Sequence, residues 1–339
     1  MGTGILKRAR EIGIAPGVHL TGPLNAITDV AGVLVGHCTL IEGARTRTGA
    51  TAILPHGGNL WRDRVPAALS VLNGYGKFAG ATQIAELGEL ETPILLTNTL
   101  ATGRAIEALI AHTLAQPGNG RVVSVNAVVG ETNDSRLNDI RAPRPTLAEM
   151  RAALDAARGG PVAEGAVGAG TGTVAFGLKA GIGTASRRLK GGVTLGVLVQ
   201  SNYGGHLRLD GRPVPAPPPQ ADPDGSIVII LATDAPVSSR NLERLARRCF
   251  GGLARTGSAL SNGSGDYALA FSTAPGLRRG PDAPGGERET LSNDAMSPLF
   301  EAAIEATEEA ILNSLTMADE MTGYDAGSGR ISRVPALLL

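Results

Sequence analysis

Aromatic residues are scarce, at 3% of the 339-residue sequence. A core for a chain of this length must therefore be built from aliphatic and small side chains. Only two cysteines occur, Cys38 and Cys249. They are too few for a disulfide scaffold and show no metal-ligand spacing, so both are expected to be small buried hydrophobes. Charge of one sign is not in excess, since 31 Lys+Arg meet 31 Asp+Glu. That balance argues against a nucleic-acid or anionic-membrane partner found by bulk electrostatics. No apolar run approaches the ~20 residues that span a bilayer. The first residues carry charges but not the apolar stretch and cleavage site of a secretory signal. A cytoplasmic location is the default expectation.

The common cofactor motifs are missing too. The Gly-rich run Gly165–Gly183 has neither the dinucleotide nor the P-loop pattern. The histidines His19, His37, His56, His112 and His206 show no short ligand spacing. No Gly-x-Ser-x-Gly elbow supports an α/β-hydrolase triad. Neither a metal nor an organic cofactor is expected.

What the chain does have is glycine. Its 47 glycines are roughly twice the usual share and follow no collagen period. They cluster, which points to turns and close backbone approaches. Between the clusters, short aliphatic runs alternate with amphipathic stretches. Val33–Val35, Ala52–Leu54, Ile94–Leu96, Val122–Val129, Thr194–Val199, Ile227–Leu231 and Tyr267–Ser272 read as strands. Helices are predicted over Gly103–Ala115, Thr146–Arg158, Ser239–Leu253 and Pro298–Met321. The first of them puts Ile106, Leu109, Ile110 and Leu114 on one face. The second opens with a capping box, Thr146 and Glu149. Gly323 is the expected stop of the last. Pro213–Asp224 and Arg278–Glu289 read as solvated loops. Elements continue on both sides of them, so a single α/β domain is favoured over two domains joined at Pro213–Asp224.

One segment suggests chemistry: Thr256–Thr273, TGSALSNGSGDYALAFST. A helix ends there, and a Gly/Ser/Asn tract leads into a strand. Ser264 lies between Gly263 and Gly265, with Asp266 next. Such a tract also suits a plain turn. As chemistry, flanking glycines let the backbone be approached closely. If the Ser264 hydroxyl attacked the Gly263 carbonyl, the peptide would rearrange to an ester and water would release it. Ser264 would then begin a new chain. Its α-amine, with an ordinary pKa of about 7.7–8.0, could act as general base to its own hydroxyl.

The run SNGSGDYALAFST resembles the nucleophile region of the self-processing serine aminopeptidases, the family of L-aminopeptidase/D-esterase-amidase and the β-peptidyl aminopeptidases. The resemblance spans nearly the whole chain in order. It takes in Asn25–His37, Thr48–Pro55, Glu131–Ile140, Gly168–Arg187, Val197–Gly204 and Glu305–Leu315. It implies a four-layer αββα sandwich like that of N-terminal-nucleophile hydrolases, with different connectivity. It implies self-cleavage between Gly263 and Ser264 into chains 1–263 and 264–339, no cofactor, and a homotetramer. The implied substrates are short peptides, amides or esters that lose their N-terminal residue. Related acyltransferases and hydrolases of amide oligomers share the fold, as would a non-enzymatic binding protein that kept it.

The resemblance also implies roles for single residues. Ser264 is the nucleophile and Asn202 the oxyanion donor. Glu308 is the acidic residue that supports the nucleophile. Glu131 and Lys179 fall in segments that would bind substrate. The chain departs from some relatives in having Ala306 two residues before Glu308, where they have serine. It also has no aromatic residue in Glu131–Asp139.

Overall fold

The computed structural model describes residues 6–214, 225–283 and 288–338. Most of the expected Pro-rich loop, and part of the loop at 278–289, lie outside the described residues.

In chain order the first strands are β1 (Leu34–Glu42), β2 (Thr46–Leu54), β3 (Val65–Gly74), β4 (Phe78–Ala79), β5 (Glu89–Leu90), β6 (Ile94–Asn98) and β7 (Val128–Thr132). They are followed by β8 (Val174–Ala175), β9 (Leu178–Lys179), β10 (Ile182–Arg188), β11 (Thr194–Asn202), β12 (Arg208–Leu209) and β13 (Arg212–Pro213). Then come β14 (Ser226–Thr233), β15 (Gly265–Ser272), β16 (Met321–Asp325) and β17 (Arg330–Val334). The helices are α1 (Ala81–Leu87), α2 (Thr102–Leu114), α3 (Leu147–Asp155), α4 (Ser239–Arg255) and α5 (Ser297–Thr316).

Two large sheets stack face to face. One has the order β1-β2-β6-β7-β4, the other β10-β11-β14-β15-β3-β5. Most neighbours are antiparallel, but β6 pairs parallel with β7, and β14 parallel with β15. Helices α2 and α3 cover the outer face of the first sheet, and α4 and α5 that of the second. The four layers enclose three apolar clusters, one at each interface. Strand β14 shows the division. Ile227, Ile229 and Leu231 point to the helices, while Val228, Ile230 and Ala232 point to the other sheet. A strand buried on both faces reads as a continuous apolar run, which is why it stands out in the sequence.

Small residues let the layers approach. A Cβ on Gly183 of β10 would lie 1.9 Å from the Ala310 carbonyl of α5, and one on Gly252 of α4 would lie 2.5 Å from the Ile304 carbonyl. Both glycines therefore bring backbones together. Beneath α5, the cationic side chain of Arg187 is fully buried between Glu305 and Glu309, at 3.0 and 2.8 Å.

Several expected elements differ in detail. Helix α2 buries Ala105, Ala108, Leu109 and Thr113 and leaves Leu114 exposed. It turns its alanines to the sheet because short side chains permit closer contact, and Ile106 and Ile110 pack at the flank. Helix α4 runs through Gly251-Gly252 to Arg255. Helix α5 ends at Thr316, short of Met321. Gly323 is not its stop but lies inside β16. There the Tyr324 N–H reaches the Leu137 carbonyl and the Ala326 N–H the Ser135 carbonyl, so long-range pairing wins over helix continuation. Of 122–129 only the last two residues join a strand, β7. Among the described residues no helix is long and apolar enough to cross a membrane.

Candidate active site

Adjacent strand ends build the site. In the second sheet Asn202 closes β11 opposite Ser226, and Ser226 stands opposite Gly265, the first residue of β15. Ser264 thus lies just before the strand held between β14 and β3. The first sheet adds Glu131, near the end of β7. A cavity of about 440 Å³ opens where these ends meet. Its walls include Gly263, Asn202, Ser226, Glu131, Lys77 and Arg136.

The loop before β15 is a tight turn. The Ser264 N–H donates to the Ser261 carbonyl at 3.1 Å, and the Tyr75 N–H donates to the Ser264 carbonyl at 3.2 Å. The Gly265 N–H is held by the Gly225 carbonyl and the Ser226 hydroxyl. Leu260 has φ +48, a left-handed backbone that costs a side-chain-bearing residue roughly 1–2 kcal/mol. Ser264 is buried, and its hydroxyl donates to Asp266 Oδ1 at 2.6 Å. The second Asp266 oxygen accepts from Asn73 Nδ2 at 2.9 Å. Burial pushes the Asp266 carboxyl up, and the bonds from Ser264 and Asn73 partly offset that.

Asn202 Oδ1 accepts from the Val174 N–H at 3.0 Å. That bond fixes which end of the amide is which, and leaves the Nδ2 donor for the cavity. Glu131 is buried. Its Oε1 accepts from the Lys77 N–H at 2.8 Å, and its Oε2 from the Thr99 hydroxyl. Burial lowers the Arg136 guanidinium and raises the Tyr203 phenol, which bonds the Thr256 hydroxyl.

Of the residues singled out in the sequence, Gly263, Asn202 and Glu131 meet at this cavity, with Ser264 next to Gly263. Glu308 and Lys179 do not. Glu308 pairs with Arg255 at 3.3 Å and lines a separate depression with Arg208 and Asp210. Its carboxyl is raised by burial and lowered by Arg255 and Arg187. Lys179 is fully buried and donates to the carbonyls of Gly170, Thr173 and Ala180. Burial lowers its ammonium to about 7, against the attraction of Asp134. It staples the Gly-rich turn and is not among the residues that line the cavity. The residues that sequence reasoning passed over are Asp266, Asn73 and Ser226. Asp266 lies two residues after Ser264, but its pairing with Asn73 spans most of the chain and leaves no local signal.

Among the described residues, one histidine–carboxylate group has ligand-like spacing: His19, Glu301 and Glu305. It lies on the α5 side. Glu305 is already taken by Arg187 and by the N–H groups of Val18 and His19.

Comparison with known proteins matches this arrangement to a family. The chain is 39% identical over 361 residues to the β-peptidyl aminopeptidase BapA of Sphingosinicella xenopeptidilytica, covering 97% of this chain and 89% of that one. A Burkholderia β-aminopeptidase superposes with a TM-score of 0.89 at 42% identity, over 98% of this chain and 96% of the other. The L-aminopeptidase D-Ala-esterase/amidase of Ochrobactrum anthropi superposes with a TM-score of 0.87 at 36% identity, over 98% and 95%. That enzyme is described as a prototype of the serine aminopeptidases and a new variant of the Ntn-hydrolase fold. The αββα layers seen here are that fold. The model of peptidase family S58 matches residues 25–328, and the chain belongs to that family.

Proposed function

We propose that the chain is an aminopeptidase that cleaves itself between Gly263 and Ser264 and then uses Ser264 as an N-terminal nucleophile. The observation that carries this reading is the meeting of Gly263, Asn202 and Glu131 at one cavity, beside a serine that immediately precedes a central strand. A cut there gives chains 1–263 and 264–339. The freed α-amine takes the Ser264 hydroxyl proton as Oγ attacks the substrate carbonyl. It then passes that proton to the departing amine. Water hydrolyses the resulting ester by the same route. Asn202 Nδ2 donates to the developing oxyanion, an interaction worth about 3–4 kcal/mol in comparable sites. Glu131 offers a carboxylate to the substrate's own ammonium, which selects chains with a free N-terminus. The substrates are short peptides, amides or esters.

Glu308 receives no step, because its carboxylate is engaged by Arg255. Lys179 receives none either, because three carbonyls occupy its ammonium. A homotetramer of the cut chains is part of the proposal, and sedimentation of the purified protein measures it.

Mass spectrometry after denaturation tests the cleavage. The expected species are two chains, the shorter beginning at Ser264. Ser264→Ala should remain a single 339-residue chain and release no p-nitroaniline from aminoacyl p-nitroanilides. A cut Ser264→Ala chain would overturn the reading. Release of p-nitroaniline by the wild type without an acyl acceptor separates a peptidase from a transferase.

A further inference from the structure

In the proposed mature enzyme the base is the α-amine of Ser264. Before the cut that nitrogen belongs to an amide. It has no basic lone pair, and its N–H is bonded to the Ser261 carbonyl. The first cleavage therefore needs another base. Glu308 and Lys179 are occupied elsewhere, as described above. None of the five histidines lines the cavity beside Gly263.

The Ser264 hydroxyl does have a partner. It donates to Asp266 Oδ1 at 2.6 Å, within the ~2.5–2.7 Å range of a hydroxyl bound to an ionised oxygen. Asp266 is buried, and Asn73 Nδ2 fixes its other oxygen. The pairing of β15 with β3 is irregular at this point. Asp266 stands opposite Asn73, but Tyr267 stands opposite Val71, so Leu72 is the extra residue. A bulge of this kind re-aims side chains next to functional sites. Here it places the Asn73 amide against the Asp266 carboxylate.

On this basis, and resting on the proposed self-cleavage, we infer that Asp266 is the general base and then the general acid of that cleavage. Its carboxylate takes the Ser264 hydroxyl proton as Oγ adds to the Gly263 carbonyl carbon. The tetrahedral adduct collapses by breaking the Gly263 C–Ser264 N bond. The Asp266 carboxylic acid returns the proton to that nitrogen as it leaves. The product is an ester between Gly263 and the Ser264 side chain, with a free amine on Ser264. Water then hydrolyses the ester, and the new amine takes over as base for later turnovers.

The surroundings suit the task. Burial raises the carboxyl above the ordinary aspartate range, against the bonds from Ser264 and Asn73, which makes it a stronger base toward the Ser264 hydroxyl than a solvated aspartate. The groups that face it are the Ser264 hydroxyl and the Asn73 amide, with the Tyr203 and Tyr267 phenols nearby. Both phenols are raised by burial and stay neutral through the working range.

Cell-free synthesis of the full chain, followed by a chase at pH 5–9 and gel analysis, tests this. Wild-type cleavage should rise with pH through one ionisation above the ordinary aspartate range. Asp266→Asn keeps the side chain's size and should slow cleavage at least about 100-fold, the usual contribution of a positioned acid–base group. Its circular dichroism and resistance to added protease should match Ser264→Ala. Asn73→Ala removes a bond that favours the charged carboxylate, and should move the pH midpoint up while cleavage continues. Folded Asp266→Asn that cleaves within about 5-fold of wild type would overturn the inference. So would an unmoved midpoint in Asn73→Ala, which decides the matter if Asp266→Asn does not fold. Cleavage in Ser264→Ala would instead remove the reading beneath it. An uncut Ser264→Ala with a normally cut Asp266→Asn would remove only the role of Asp266.

Discussion

Replacing Glu131 with glutamine removes one charge and almost nothing else. The side chain is 2% exposed. Its Oε1 accepts the Lys77 N–H and its Oε2 the Thr99 hydroxyl. Glutamine keeps the first bond through its carbonyl, and the Thr99 hydroxyl can turn to accept the second. The fold is therefore preserved, while the anion facing the cavity is lost. A charged hydrogen bond of this kind contributes about 1.5–3 kcal/mol net. Glu131→Gln should thus lower kcat/KM for a free-amine substrate about 10- to 150-fold. The assay compares an aminoacyl p-nitroanilide with its des-amino analogue, which has the same leaving group and no ammonium. The amine substrate should suffer the full loss, and the des-amino analogue little or none. An equal loss on both, or a loss below about 3-fold on the first, would refute Glu131 as the ammonium anchor.

Other substitutions probe other links. Asn202→Leu should cut kcat about 100- to 1,000-fold with little change in KM, measured by steady-state kinetics on the cleaved enzyme. Arg187→Met, made in uncleaved Ser264→Ala so that unfolding is of one chain, leaves Glu305 and Glu309 buried without their shared cation. It should cost about 3 kcal/mol in urea unfolding, at the low end because Arg10 still pairs with Glu309 at 2.8 Å. His37 is lowered to about 4 by burial first and Arg158 second, so the fold favours its neutral ring. That stability is complete above pH 6.5 and lost as pH falls toward 4, by at most about 1.4 kcal/mol per pH unit. His37→Leu in the same background should flatten urea midpoints between pH 6.5 and 4, and an unchanged slope would count against it.

Much of this was legible in the sequence because the sheets are covered on both sides. Strands β11, β14 and β15 are buried at every position and each carries an unbroken apolar run at its centre, so they declare themselves locally. The Thr146 capping box sits where its spacing placed it. What a local reading could not supply is neighbourhood. Strand β15 lies between β14 and β3, and β3 comes from almost 200 residues earlier. The Asn73–Asp266 contact therefore has no counterpart in either segment alone. Rotation of α5 is a second case. Three glutamates fall within five residues, Glu305, Glu308 and Glu309. Packing turns Glu305 and Glu309 under the sheet to Arg187, and Glu308 toward α4 and Arg255. Helical spacing places the first two together, but which face meets the sheet depends on tertiary contacts.

The position of β15 in the middle of its sheet has a consequence for the life of the protein. Its neighbours on both sides, β14 and β3, belong to the part before the proposed cut, while β15 and α5 belong to the part after it. A break at Gly263–Ser264 would leave the halves interlocked. Assembly of that sheet, however, would pass from an intramolecular event to an encounter between two chains. The tether's effective concentration, in the millimolar range for short linkers, would be gone. The mature protein would then carry a memory of having folded as one piece. Its thermal loss should be governed by the rate of unfolding rather than by an equilibrium, and recovery after denaturation should depend on protein concentration as it does not before the cut.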